Sequence, residues 1–183
     1  WADDLVERVY ESDLEGEYQK ENIRLAQAAV QLLPQFKISL KNCKKGLLSV
    51  VKNTGIKGRW QCIGRAPMIV ADVAHNKEGI LQVVSQILKQ RYRTLHLVLG
   101  FVKDKEIMPI ISLFPDEAKL YLCAANNPRS LELDILEKYI MNKTSHYSTY
   151  SSVAEAFTAA KNNANSSDFI YVGGSTFVVA EVL

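Results

Sequence analysis

Met68-Ile69-Val70-Ala71-Asp72-Val73-Ala74-His75-Asn76 is the stretch whose reading decides the fold. The four apolar residues behind Pro67 read as a short buried strand. The chain turns polar at Asp72. From Asn76 to Gln90, Ile80, Val83, Val84 and Ile87 then recur at helical spacing. Downstream the alternation repeats. Leu95–Leu99 reads as a second buried strand, 104–114 as a helix, Leu120–Cys123 as a third strand and Leu131–Met141 as a helix. Residues 146–150 suit a short edge strand. Ser152-Val153-Ala154-Glu155 has the spacing of a capping box and opens a helix to about Asn163. Phe169–Val172 is the last central strand, followed by Gly173-Gly174-Ser175 and an apolar segment from Thr176 to Leu183. Strands and helices that alternate with short connections predict an α/β fold, a mostly parallel sheet covered by helices on both faces.

Upstream of this block the pattern differs. Residues 4–10 alternate weakly, as a strand would. From Lys20 to Leu33 apolar residues recur at helical spacing up to Pro34, and a second helix is expected from Leu40 to Val51, ending near Asn53-Thr54-Gly55. After Gly58 the pattern changes to the strand–helix alternation described above.

The composition narrows the function. With 183 residues, 48% hydrophobic and 23% charged, the chain is an ordinary globular protein. It has no apolar run of about 18 residues, so no membrane helix is expected. Cys43, Cys62 and Cys123 are odd in number and widely spaced, which argues against a disulfide framework and against CxxC sites and suits thiols in a reducing compartment. Residues 1–17 hold seven acids and one base, whereas residues 37–65 hold eight bases and no acid. A basic stretch of that length suits phosphates, a polyanionic substrate or nucleic acid, while a plain solvated face accounts for most of these lysines. It lacks the interleaved aromatics of a single-strand binder, so no nucleic-acid partner is expected. No GxGxxG, no GxxxxGK[ST] phosphate loop, no GxSxG elbow and no zinc-ligand spacing occurs.

In parallel sheets, ligands lie beyond the carboxyl ends of the strands. At those ends stand Asp72, His75 and Asn76, then Lys103-Asp104-Lys105, then Asn127-Pro128-Arg129-Ser130, then Gly174-Ser175. The Asp72 carboxylate suits ribose hydroxyls or a cation, and His75 suits a carboxylate or phosphate beside a helix start. Capping explains Asp72 and Asn76 equally well. Spacing alone leaves both roles open.

Taken in order, Gly16-Glu17-Tyr18-Gln19-Lys20-Glu21-Asn22, Gly58-Arg59-Trp60-Gln61, Asp72-Val73-Ala74-His75-Asn76, Gly100-Phe101-Val102-Lys103-Asp104-Lys105, Asn127-Pro128-Arg129 and Gly174-Ser175 resemble the folylpolyglutamate synthase/dihydrofolate synthase family of the Mur ligase group. The resemblance implies a Rossmann-like, doubly wound glutamate ligase domain over 57–183, preceded by a short, mainly helical segment over 1–54 that is the end of an ATPase domain plus the hinge. It also implies an ATP- and Mg²⁺-dependent ligase that joins L-glutamate to dihydropteroate or a folate tail through an acyl phosphate. On this resemblance Asn22, Arg59 and Asp72 face ATP. His75 serves glutamate binding and catalysis, and Ser175 lies near the incoming glutamate. Val73 stands where that family usually has glycine, and Lys77 where it usually has proline. The phosphate loop and Mg²⁺ ligands are expected in the remainder of the polypeptide, so the chain alone is expected to be inactive. The resemblance further implies a cytoplasmic monomer with no membrane partner. The alternatives are another Mur-type ligase acting on a peptidoglycan precursor, and a non-catalytic module that binds a nucleotide or amino acid.

Overall fold

The computed structural model describes Val6, residues 8–141 and residues 143–183. The chain divides into two compact units, Trp1–Arg59 and Trp60–Leu183.

In the first unit, α1 (Gln19–Gln31) buries Ile23 and Ala28 and ends before a single turn of 3₁₀ helix at Pro34–Phe36. The expected strand over 4–10 lies partly outside the described residues, and Arg8–Tyr10 form none. The helix expected from Leu40 to Val51 is two helices, α2 (Leu40–Leu47) and α3 (Val50–Thr54). The break has a cause far back in the chain. The Asp13 carboxylate accepts the Val50 and Val51 N–H groups, each at 3.0 Å. A distant carboxylate therefore caps a new helix start. α2 has its own cap, Ser39, whose hydroxyl accepts the Asn42 N–H.

The second unit is a six-stranded sheet in the order β1-β2-β6-β3-β4-β5. Its strands are β1 (Gln61–Arg65), β2 (Met68–Ala71), β3 (Leu95–Leu99), β4 (Lys119–Cys123), β5 (Tyr147–Tyr150) and β6 (Phe169–Gly173). β1 pairs antiparallel with β2, and every other pairing is parallel. Central β3 and β6 are buried at every position. That explains why they read as unbroken apolar runs. β5 is the half-exposed edge strand. β1 is an addition to the expected fold. A register shift between Cys62 and Gly64 marks a bulge. A Cβ on Gly64 would lie 2.8 Å from Ile69 Cδ1, so the side-chain-free residue lets the strand fit.

The crossovers place the helices. β2 passes through α4 (Lys77–Ile87) to β3, then α5 (Ile107–Ile111) leads to β4 and α6 (Leu133–Ile140) to β5, all in one direction across the sheet. The return through α7 (Val153–Asn163) to β6 runs the other way. Right-handed crossovers put α4, α5 and α6 on one face and α7 on the other. The α7 face buries Ile69, Val98, Tyr121, Cys123, Ile170 and Val172 against Val153, Ala156 and Ala160. The short terminal helix α8 (Thr176–Ala180) joins it through Val178 and Val179. α5 is five residues rather than the eleven expected. Pro109 is confined to a first helical turn, which sets the start at Ile107. The turn before α5 is occupied by ion pairs.

At the amino end of the sheet sits a buried polar cluster. His96 in β3 is fully buried, with Nδ1 3.0 Å from Tyr121 Oη and Nε2 3.4 Å from Asp168 Oδ2. Asp168 also accepts the N–H groups of Thr94 (3.1 Å) and Asn165 (2.8 Å). A carboxylate only accepts, so Nε2 carries the proton and Nδ1 accepts from the tyrosine. Burial pushes the His96 pKa down, opposed by its bond to Asp168. Burial alone would raise Asp168, but the hydrogen bonds from Asn165, His96 and Thr94 hold its carboxyl below the ordinary value.

Candidate active site at the carboxyl ends of the strands

β2 leads into α4 on one face, β6 into α8 on the opposite face and β3 into α5 back on the first. Chains that part to opposite faces leave a crevice at the carboxyl end of the sheet. The Asp72–Asn76 loop and the Gly174-Ser175 turn border it from adjacent strands, β2 and β6. The ladder continues into the loops. Asp72 N–H donates to Val172 O (3.1 Å), and Gly100 N–H donates to Gly173 O (3.4 Å). Gly174 has φ +88°, and a Cβ there would lie 2.8 Å from Gly100 O. Only glycine lets these two loops approach so closely.

Within this edge the candidate residues have different settings. Asp72 is 1% exposed. Its Oδ2 accepts the Trp60 N–H at 2.6 Å and its Oδ1 accepts the Ala74 N–H at 2.8 Å. Trp60 is buried and has φ +51°, a left-handed conformation that a tryptophan holds only under constraint. Asp72 therefore anchors the backbone directly after Arg59. Asn76 caps α4, its Oδ1 accepting Gly79 N–H at 2.9 Å. Val73 is not among the residues with positive φ, so the loop takes valine without left-handed strain. Lys77 takes the first helical position, where proline also fits.

His75 is exposed, with Nδ1 3.0 Å from the Val73 carbonyl. Because a carbonyl accepts, Nδ1 is the protonated nitrogen of the neutral ring. Nε2 then carries the lone pair. Ser175 is 2% exposed and caps α8, its hydroxyl accepting the Val178 N–H at 3.1 Å. In a cap of this kind the serine O–H remains a donor.

The loops after β3 and β4 are tied together. Lys103 N–H donates to Arg129 O at 3.0 Å, the Arg129 guanidinium meets Asp104 at 3.0 Å and Lys103 Nζ meets Glu132 at 2.5 Å. Lys103 and Asp104 thus stand in ion pairs. The Asn126 N–H is held at 2.7 Å by Glu181, beyond α8. The Cys123 thiol beneath these loops is pushed up to about 12 by burial and by the Glu181 charge, so it is no nucleophile.

The structure brings Asp72, His75 and Ser175 to one edge of the second unit. Asn22 belongs to the first unit, exposed on α1, with its Nδ2 donating to Gln19 at 2.8 Å. Arg59 is exposed at the end of that unit. Sequence reasoning missed the constraint at Trp60 and the Glu181 tie. Neither has a spacing signal. Among the described residues no three His, Cys, Asp or Glu side chains could together hold a metal ion. Nor is any described helix long and apolar enough to cross a membrane.

Residues 58–176 match the family described as Mur ligase, glutamate ligase domain. The chain is 31% identical over 91% of its length to a probable bifunctional folylpolyglutamate synthase/dihydropteroate synthase of Haloferax volcanii, covering 19% of that protein. It is 26% identical over 88% of its length to a dihydrofolate synthase/folylpolyglutamate synthase of Buchnera aphidicola subsp. Schizaphis graminum, covering 38% of it. A crystal structure of a bifunctional folylpolyglutamate synthase/dihydrofolate synthase from Yersinia pestis, complexed with AMPPNP and Mn ion, superposes with a TM-score of 0.70. That match is 23% identical and covers 87% of this chain and 38% of that one. The chain therefore spans about a fifth to two-fifths of these relatives.

Proposed function

Because the chain belongs to the Mur ligase, glutamate ligase domain family, we propose that it is the glutamate-accepting part of an ATP-dependent amide ligase. The enzyme adds L-glutamate to a folate tail, to dihydropteroate, or to both. The observation that carries this reading is the placement of His75 and Ser175 on loops of adjacent strands that lead to opposite faces of the sheet. The names of the Haloferax and Buchnera relatives support the folate class.

In this reaction ATP phosphorylates the acceptor carboxylate, releasing ADP. The glutamate amine attacks the acyl carbon, the C–N bond forms and the C–O bond to phosphate breaks. The attacking amine must first lose a proton, and Nε2 of His75 takes it. Ser175 donates its O–H to a glutamate carboxylate while its lone pair caps α8. Asp72 belongs to the nucleotide side together with Asn22 and Arg59. Its buried carboxylate keeps the Trp60 backbone in place. Positioning of this kind is most of what a phosphoryl-transfer site supplies.

A divalent cation, Mg²⁺ in this reading, would neutralise phosphate charge. The residues described here do not form its site, and we assign its ligands to the preceding part of the polypeptide, with the phosphate loop. Residues 1–54 are then the end of the ATPase domain. Their unit leaves Leu25, Leu32, Phe36, Leu40 and Leu48 more than half exposed, as a cut through a larger core would. The full-length enzyme acts in the cytoplasm as a monomer, and the 183-residue chain alone is inactive.

Mass spectrometry of the full-length protein's reaction with ATP, Mg²⁺, L-glutamate and a pterin acceptor tests the reading. An acceptor longer by one glutamate is expected. Extension of a UDP-linked precursor instead would move the enzyme to the peptidoglycan branch, and ligation by the isolated chain would refute its dependence on the missing domain.

A further inference from the structure

Tyr171 has no part in the chemistry described so far, yet its hydroxyl reaches the loop that carries His75. The side chain is fully buried in β6. Tyr171 pairs with Val70 of β2 on one side and Leu97 of β3 on the other, and its ring centroid lies 6.1 Å from that of Phe114. The ring leans along the strand toward its carboxyl end, as strand side chains can. A Cβ on Gly173, on the same face of β6, would lie 2.2 Å from the Tyr171 hydroxyl oxygen and 2.5 Å from the ring carbon that bears it. The phenol therefore fills the space that a side chain at 173 would take, and glycine admits it. A phenylalanine would pack this apolar core without a polar atom to satisfy. The tyrosine instead carries a hydroxyl to the strand end, where it donates to the Asp72 carbonyl at 3.4 Å.

Asp72 is thus tied to β6 twice, since its own N–H donates to Val172 O at 3.1 Å. The bonding passes on from there. Asp72 Oδ1 accepts the Ala74 N–H at 2.8 Å, and the Val73 carbonyl lies 3.0 Å from Nδ1 of His75. The partner of one ring nitrogen decides which nitrogen keeps the proton. We propose that Tyr171 is a positioning residue for His75. Its hydroxyl holds the Asp72–Val73 peptide so that the Val73 carbonyl keeps the proton on Nδ1 and leaves the lone pair on Nε2. Because 3.4 Å is long for an O–H donor, the hydroxyl acts as a spacer between the ends of β2 and β6 as well as a donor. The effect on turnover rests on the ligase reading above; the effect on the ring does not.

The test uses the full-length protein carrying nitrogen-15 histidine, read by NMR, with the His75 signals identified as those absent from His75→Ala. With the ring neutral, the Nδ1–H form should dominate in wild type. In Tyr171→Phe, which keeps the ring and its packing, that preference should be lost. Gly173→Ala, which drives a methyl group into the place of the hydroxyl, should lose it too. Turnover should follow. We expect kcat in Tyr171→Phe to fall about tenfold with KM for ATP unchanged, part of the roughly hundredfold that a 1 Å misplacement can cost. A residue that only filled the core would shift the unfolding midpoint and leave the tautomer and kcat alone. An unchanged His75 tautomer in Tyr171→Phe overturns the proposal, as does a kcat within about twofold of an active wild type. The ligase reading fails on a different signal, the absence of pterin-dependent turnover in wild type, because the tautomer is read without turnover.

Discussion

Replacing His75 with alanine in the full-length protein is expected to lower kcat by about a thousandfold, within the range assigned to a positioned acid–base group. The expectation follows from the ring's orientation. The Val73 carbonyl holds Nδ1 at 3.0 Å, which leaves Nε2 as the basic nitrogen of an exposed imidazole beside the crevice. An amino acid arrives as an ammonium ion and cannot attack until that proton leaves. Because the side chain is exposed, its loss should change stability by less than about 0.5 kcal/mol. The two effects therefore separate: activity collapses while the unfolding curve stays in place. A kcat within about threefold of wild type would remove His75 from the chemistry.

Asp168→Ala should do the reverse, destabilising the fold by about 3–5 kcal/mol with little effect on the carboxyl-end site, because it strands the buried donors of Thr94, Asn165 and His96. Asp168→Asn keeps an acceptor and should cost less. Chemical denaturation distinguishes them. An alanine variant within about 0.5 kcal/mol of wild type would mean that water replaces the lost acceptor. The same cluster sets an acid limit. The His96 pKa is lowered in the fold, so below about pH 6.5 the unfolded chain takes up a proton that the folded chain resists, and stability falls with pH. The Asp168 pKa is lowered too. Its contribution is therefore present above about pH 4 and is lost as pH falls further, through the folded value. His96→Leu should flatten the first of these slopes.

The parallel core was legible because β2, β3, β4 and β6 are covered on both faces and so carry continuous apolar runs. β1 was not, because Gln61-Cys62-Ile63-Gly64-Arg65 is an antiparallel edge strand with a bulge, held by pairing rather than by burial. The break between α2 and α3 was equally hidden. It depends on Asp13, more than thirty residues away. At the site, the strand-end rule placed Asp72, His75 and Ser175 together. It could not separate their settings, since exposure of His75 and burial of Asp72 are decided by which backbone amides return to the loop. The Trp60 N–H that reaches Asp72 depends on a left-handed φ that no residue type announces.

The central claim is tested most directly by ADP release from the full-length protein supplied with ATP, Mg²⁺, L-glutamate and either dihydropteroate or tetrahydrofolate. The account predicts release that requires both the pterin and glutamate, and that is lost in the His75→Ala and Asp72→Ala proteins. Release indifferent to both, or none with either pterin, would contradict it and leave only the fold.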